Sequence, residues 1–263
     1  MSGSGELERN VDVDGPADAQ AIVFVHGAVM TRQMWLPQRR DLAGEFRVVA
    51  PDLPGHGTRA HERFQLEPAV AQLREVIRND TDGTAILVGL SLGGYVATEY
   101  AHRHPSDVDG LVLSGSSANP VRGLELLTRA TGGLARLVTK PDLGKRGVEW
   151  VATRWVRNRD LPSDIETAII EAGFYPKPFG EAGPDIAGRD FRTALSTYPG
   201  PTLVLNGEND TIMRRGEQAH AAAAQNGRVE VLADVGHICN LHRPAAYTSH
   251  VRRFARRTVA AGQ

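Results

Sequence analysis

Short apolar runs recur along the chain, separated by segments with the periodicity of helices. Five runs rich in Val, Ile and Leu end at Gly, His or Asp: AIVFVH (21–26), FRVVAPD (46–52), TAILVG (84–89), DGLVLSG (109–115) and PTLVLNG (201–207). Their hydrophobicity is continuous rather than alternating, which is typical of parallel strands buried on both faces. The helix-like segments between the early runs are 34–43, 66–79 and 92–103. This alternation predicts an α/β fold with a doubly wound, mostly parallel sheet.

The strand and helix alternation stops over about eighty residues. This stretch contains no convincing strand and has four amphipathic segments, at 121–138, 146–158, 163–173 and 188–196. The segments KPDLGK and YPKPFGEAGP predict helix breaks. The earlier rhythm then returns, with a last strand at 228–236 and a closing helix at 243–260. We therefore predict a core domain formed by residues 1–115 and 199–263, carrying a helical cap over residues 116–198.

Composition limits the class of partner. The chain has 263 residues, 41% of them hydrophobic, which is enough to bury a sizeable core as a monomer or a homodimer. The 30 Lys and Arg nearly balance the 31 Asp and Glu, so the charge predicts neither nucleic acid nor a membrane as partner. The single cysteine, Cys239, fits a reducing compartment. The polar start MSGSGELERNVDVDG resembles no signal peptide, so a cytoplasmic location is expected.

One serine stands between glycines in VGLSLGGY, residues 88–95. The pattern Gly89-x-Ser91-x-Gly93 follows a predicted strand and opens a predicted helix. A sharp strand-to-helix turn of this kind exposes a serine in a strained conformation, and larger neighbours would collide with the strand and helix. A serine hydroxyl is a poor nucleophile alone, so a histidine base and a group that orients this base are required.

The orienting carboxylate is expected in NGEND, residues 206–210, where a predicted strand runs into a polar loop. Asp210 lies three residues past Gly207, and Glu208 is the alternative. Loops at the carboxyl ends of parallel strands form one crevice, which places this loop beside Ser91.

The base is expected at His237, directly after the last predicted strand, in LADVGHICNLHRP. Its position at a strand end distinguishes it from histidines such as His220, which are expected on surface helices. The chain order is then Ser91, Asp210, His237.

Acyl transfer also requires donors for a developing oxyanion. We expect the backbone N–H of Leu92, at the start of the helix after Ser91, to be one of them. The N–H of Ala28 in HGAVM is expected to be the other, because Gly27 lets the chain turn back toward the serine. His26 is interpreted as a residue that orients this loop.

Five motifs in register carry a resemblance to a known family: VHGAVMTRQMW, PDLPGHG, GLSLGG, NGEND and GHICNLHRP. Together they resemble the α/β-hydrolase superfamily over essentially the whole chain. The resemblance implies an eight-stranded, mostly parallel sheet with a helical cap between strands six and seven, and it implies the same roles for Ser91, Asp210 and His237. Within the superfamily the chain is similar to 3-oxoadipate enol-lactonases and small carboxylesterases. The lactonases tend to read Asp-x-Arg-Gly-His-Gly where this chain reads DLPGHG, so ester and lactone both stay open.

Several other positions invite a chemical role. Asp52 and His56 in DLPGHG are better explained by a tight, hydrogen-bonded loop than by a metal site, since no further ligands accompany them. Cys239 is interpreted as a packing residue. The cap contains four aromatic residues that either hold its helices together or line an acyl or alcohol pocket: Trp150, Trp155, Phe174 and Tyr175.

The sequence therefore predicts a serine hydrolase that cleaves small-molecule esters or lactones through an acyl-enzyme, without metal or cofactor. Two alternatives stay open on the same scaffold. One is a non-hydrolytic or C–C bond-cleaving enzyme, and the other is a ligand sensor with little turnover.

Overall fold

The strands of the chain form one sheet. A computed structural model describes residues 10–121, 124–139 and 142–262. The strands are β1 (Val11–Asp14), β2 (Ala21–Val25), β3 (Arg47–Pro51), β4 (Ala85–Leu90), β5 (Val108–Ser114), β6 (Pro201–Gly207) and β7 (Asn226–Leu232). Their order is β1-β3-β2-β4-β5-β6-β7, and only β1 runs antiparallel to its neighbour. The predicted mostly parallel sheet is confirmed. Within the described residues it has seven strands, one fewer than the resemblance implies.

Helices cover both faces of this sheet, which is why its central strands are apolar throughout. The helices of the core are α1 (Leu36–Leu42), α2 (Leu66–Asp80), α3 (Leu92–Arg103), α9 (Thr211–Arg214), α10 (Glu217–Ala223), α11 (Cys239–His242) and α12 (Pro244–Gly262). In β4, Leu87 packs in a cluster with α2 and α3, whereas Ile86 and Val88 pack in a cluster with α1 and α12. Side chains on a strand alternate between faces, so a strand between two helix layers needs apolar residues at every position.

Five helices lie between β5 and β6. They are α4 (Leu124–Thr139), α5 (Asp142–Arg157), α6 (Ser163–Glu171), α7 (Lys177–Ile186) and α8 (Phe191–Ser196). None of the helices in the described ranges has both the length and the apolar character that crossing a bilayer requires.

The predicted break at YPKPFGEAGP is wrong, because this segment supplies α7. Pro178 sits in the first turn, where a missing N–H costs nothing, and Pro184 is accommodated inside the helix. A Cβ added to Gly132 would lie 3.0 Å from Gly183 Cα, so α4 and α7 meet through glycines. Close packing thus overrides the poor helix propensity. The other predicted break, KPDLGK, falls partly on residues 140 and 141, which lie outside the described residues.

His220, expected on a surface helix, is fully buried on α10. Neither ring nitrogen has a hydrogen-bond partner among the described residues. Burial, with a smaller contribution from the nearby Arg192 cation, lowers the pKa of His220 from 6.5 to about 4. The imidazole is therefore neutral in the folded protein at pH 5 but mostly protonated in the unfolded chain.

This difference makes stability depend on pH. The contribution of neutral His220 is complete above pH 6.5 and is lost as the pH falls toward 4, because the unfolded state then binds the additional proton. The lost contribution amounts to about 3 kcal/mol. We expect His220→Leu to lose less unfolding free energy than wild type between pH 7 and pH 4.5 in urea titrations. His61→Leu, at an exposed histidine, serves as the control and should lose as much as wild type. Equal acid losses in wild type and His220→Leu would contradict the assignment.

Candidate active site

Ser91 occupies the turn between β4 and α3 in a strained conformation. Its φ is 54° and its ψ is −115°, in a region that residues with a side chain rarely adopt. The Ser91 N–H donates to the Ser114 carbonyl oxygen at 2.7 Å, which fixes the turn to the end of β5. A Cβ on Gly93 would collide with the Val25 carbonyl, and one on Gly89 would overlap the Gly93 backbone. The flanking glycines are therefore needed for backbone to approach backbone.

His237 and Asp210 meet across the ends of β6 and β7. The His237 Nδ1–H donates to Asp210 Oδ2 at 2.7 Å. Asp210 is buried and also caps α9 by accepting from the Met213 N–H, whereas 40% of the His237 side chain is exposed. The two loops are bonded together, since the Asn209 N–H donates to the Val235 carbonyl at 2.8 Å. In the neutral imidazole this contact selects the tautomer with the proton on Nδ1, so that the lone pair of Nε2 can accept a hydrogen bond.

The end of β5 supports the His237 ring. Gly115 has a φ of +56°, and a Cβ at this position would lie 2.8 Å from Cε1 of His237. The Gly115 N–H donates to Asn206 Oδ1 at 3.0 Å, and Asn206 is fully buried on β6. Gly115 and Asn206 therefore hold the strand end against the imidazole, a role that their sequence context did not reveal.

Of the two carboxylates in NGEND, the structure brings only Asp210 to the histidine. Glu208 is exposed, and its Oε2 accepts from the Asp234 N–H at 2.9 Å. It stabilises the turn after β7.

Ser91 and His237 border the same cavity, and so does Ala28. A Cβ on Gly27 would lie 3.4 Å from Ser91 Cβ, so the Ala28 loop passes close to the serine. Among the described residues, neither the Ala28 nor the Leu92 N–H donates to a backbone carbonyl. Ala28 lies close to Ser91 in space and Leu92 follows it directly in the chain, and the role of their N–H groups as oxyanion donors stays a prediction.

His26 is buried below this loop and orients it. The Leu53 N–H donates to Nε2 of His26 at 2.9 Å, so the proton lies on Nδ1, which donates to the Gly27 carbonyl at 2.9 Å. Burial lowers its pKa, and the ring stays neutral.

The DLPGHG segment forms a loop held by hydrogen bonds. Asp52 accepts from the N–H groups of Arg32 at 2.9 Å and Thr58 at 3.0 Å, and it pairs with the Arg32 guanidinium.

Cys239, two residues after His237 in the chain, is fully buried, and burial raises the pKa of its thiol to about 12. At neutral pH this thiol is protonated and a poor nucleophile.

The cavity beside Ser91 has a volume of about 720 Å³ and is formed mainly by the loop that carries Ala28, by α5 and by α7. Its described lining is apolar apart from Ser91 and His237: Ala28, Val29, Met30, Gly144, Gly147, Val148, Val151, Ala152, Trp155, Val156, Phe179 and Ile238. A cavity of this size accommodates a small to medium-sized ligand.

Only one of the four cap aromatics reaches this wall. Trp155 lines the cavity, whereas Trp150 is 65% exposed on the outside of α5. Phe174 is buried in the core cluster beside α1 and α12. Tyr175 borders a separate polar pocket with Arg32. Val148, Val151 and Trp155 lie at helical spacing on one face of α5, but this spacing alone does not indicate that this face, rather than another, meets the cavity.

Tyr175 connects the predicted cap to the loop that carries Ala28. Its N–H donates to the Val29 carbonyl at 2.7 Å, and Val29 has a φ of 74°. The loop that carries Ala28 is thus bonded directly to the cap.

Known proteins resemble both the sequence and the fold. The pimeloyl-(acyl-carrier protein) methyl ester esterase of Nitrosospira multiformis is 29% identical over 268 residues, covering 93% of this chain and 97% of that protein. A thermophilic esterase from Thermogutta terrifontis has a TM-score of 0.76 at 27% identity, covering 94% of this chain and 93% of the other. The enol-lactonase from Burkholderia xenovorans shares the fold, with a TM-score of 0.70 at 22% identity over 93% and 95% of the two chains.

A family model described as "Alpha/beta hydrolase family" matches residues 22–249. Because this match spans most of the chain, the protein belongs to the alpha/beta hydrolase family.

Proposed function

We propose that the protein is a serine hydrolase that cleaves carboxylic esters with an apolar acyl or alcohol group through an acyl-enzyme. The observation that carries this proposal is the placement of Ser91 and the Asp210-bonded His237 on the wall of one apolar cavity. The esterase relatives support the same reaction class.

The reaction begins when Ser91 Oγ bonds to the ester carbonyl carbon and Nε2 of His237 accepts its proton. Asp210, bonded to Nδ1, stabilises the imidazolium that results. The tetrahedral intermediate then collapses: the C–O bond to the alcohol breaks, and His237 returns the proton to the leaving oxygen. A water molecule, deprotonated by the same imidazole, attacks the acyl-enzyme and releases the acid and the free serine.

The negative charge on the carbonyl oxygen is held by the N–H groups of Ala28 and Leu92 in this proposal. Donors fixed by the fold pay no reorganisation cost as this charge develops. The first N–H of α3 belongs to Leu92, directly after Ser91, and at this helix N-terminus the helix dipole would add to the stabilisation.

The lining of the cavity indicates which esters are preferred. Apart from His237, the lining side chains in the described part of the chain carry no charge, so a charged group on the substrate would be desolvated without a partner. Each methylene that enters adds about 0.8 kcal/mol of binding free energy. Lactones present the same carbonyl chemistry and belong in the same test.

A chain-length series tests the proposal. We expect kcat/KM for p-nitrophenyl esters to rise from acetate with each added methylene and to fall once the cavity is full. Gly147 lines the cavity, and a Cβ there would meet nothing within 4 Å. Gly147→Leu should therefore shift the optimum to shorter acyl chains while turnover of the acetate is kept, and Gly147→Ala should shift it less. An optimum identical in all three proteins would contradict this cavity as the acyl site. Absence of ester and lactone turnover in folded wild type would overturn the proposed reaction.

A further inference from the structure

Most of the large apolar side chains that are exposed to solvent lie on helices of the predicted cap. Among the described residues, six of the eight exposed large hydrophobics lie on α4, α5 and α7. They are Leu126 (71% exposed), Leu134 (62%), Leu137 (67%), Trp150 (65%), Val151 (59%) and Phe179 (48%). We refer to these six side chains as the cap face. Apolar residues that cluster on the surface, rather than being scattered singly, mark a contact site.

Helix α4 is apolar on the side that faces solvent. It packs against α7 through Gly132, where the two helix backbones nearly touch. Its three exposed leucines point away into water. A helix at the surface of a globular domain normally places polar residues outward, so the outer side of α4 has the character of a buried helix face without a covering element.

The cap face includes the rim of the active-site cavity. Val151 and Phe179 are both exposed to solvent and part of the cavity lining. An apolar chain that contacts Val151 or Phe179 is therefore already at the edge of the cavity that Ser91 lines. This step of the argument rests on the proposed function, since it assumes that the substrate has an apolar chain.

Cations accompany these apolar residues. The three helices of the cap face, α4, α5 and α7, contain seven Lys and Arg against five Asp and Glu, and this excess lies on α4 and α5, although the whole chain has a net charge of −1. Arg146 is exposed on α5, and the Arg154 guanidinium lies 6.0 Å from the centre of the exposed Trp150 ring. Basic and aromatic residues beside an apolar helix face are typical of helices that lie at a lipid surface.

We propose that the cap face docks onto the surface of an anionic lipid aggregate, so that substrate acyl chains enter the cavity directly from the lipid phase. The apolar side chains enter the headgroup and acyl boundary, and the arginines contact lipid phosphates. The balanced total charge predicted no membrane partner, but it averages over the chain and hides the positive charge of α4 and α5.

Vesicle flotation with the full chain tests this docking. We expect wild type to float with vesicles of phosphatidylcholine and phosphatidylglycerol, and less with phosphatidylcholine alone. The double variant Leu126→Glu/Leu134→Glu changes two exposed residues and should reduce the partition coefficient at least about tenfold. Val231→Glu introduces one glutamate at an apolar residue of the edge strand β7 that is 37% exposed, and it should float like wild type.

Three results would overturn the docking proposal. Wild type could stay unbound with both vesicle types, or the double variant could float like wild type. The third is a concentration-dependent dimer in analytical ultracentrifugation that the double variant abolishes, with no flotation, which would make the cap face a contact between two copies. Hydrolysis of water-soluble p-nitrophenyl acetate is measured in parallel and should be equal in the three proteins. If wild type does not hydrolyse this ester, the result counts against the proposed function. The flotation experiment then tests the docking proposal independently.

Discussion

Ser91→Ala should reduce kcat for a p-nitrophenyl ester on the order of 10⁶-fold. The alanine keeps the backbone turn but removes the oxygen that bonds to the carbonyl carbon, so no acyl-enzyme can form. Labelling by a fluorophosphonate probe should disappear with turnover, because both reactions require the same activated oxygen. Stopped assays with purified protein, together with gel detection of the probe, measure the two effects.

The control for Ser91→Ala is Ser106→Ala, at an exposed serine outside the cavity. It should keep wild-type labelling and turnover. Thermal unfolding shows whether each variant is folded. Substantial turnover in a folded Ser91→Ala protein would exclude the acyl-enzyme mechanism.

Asp210→Asn should reduce kcat on the order of 10⁴-fold while the protein stays folded. The asparagine amide has nearly the same shape, but it can donate to Nδ1 of His237 and thereby hold the imidazole in the wrong tautomer. The proton then lies on Nε2, which can no longer accept the proton of Ser91. The fluorophosphonate labelling rate should fall in parallel.

Glu208→Gln is the matched control, because it makes the same carboxylate-to-amide change two residues away. Glu208 accepts from the Asp234 N–H and does not contact His237, so kcat should change by less than about twofold, as for surface substitutions. A large loss in Glu208→Gln, with little loss in Asp210→Asn, would exchange the roles of the two carboxylates.

The sheet and its helices could be predicted because their signal is local. Continuous apolar runs identify strands that are buried on both faces, and β2, β4 and β6 lie within about one residue of their predicted ranges. Helix α7 could not be predicted, since its proline and glycine content opposes a helix and only packing against α4 stabilises it. His220 could not be placed because the EQAHAAA sequence of α10 does not indicate which side meets the sheet.

The candidate site also has features that the local sequence predicts and features that depend on packing. The convergence of Ser91, Asp210 and His237 on one end of the sheet could be predicted because each follows a strand, and the ends of parallel strands converge. The residues of the cavity wall could not be predicted, because they depend on how α5 is rotated against the core. Trp150 and Trp155 lie five residues apart, roughly 140° around the helix, so one lines the cavity and the other faces solvent.

In the proposed reaction, the hydrogen bond from the Tyr175 N–H to the Val29 carbonyl would join substrate selection to catalysis. Val29 is adjacent to Ala28, so a shift of the cap at Tyr175 also displaces a predicted oxyanion donor. Replacing the cap to obtain a new substrate range would therefore change kcat as well as KM, unless the graft reproduces this contact. A cap exchange should therefore keep Tyr175 together with the core. The residues to be varied then lie on α5 and α7.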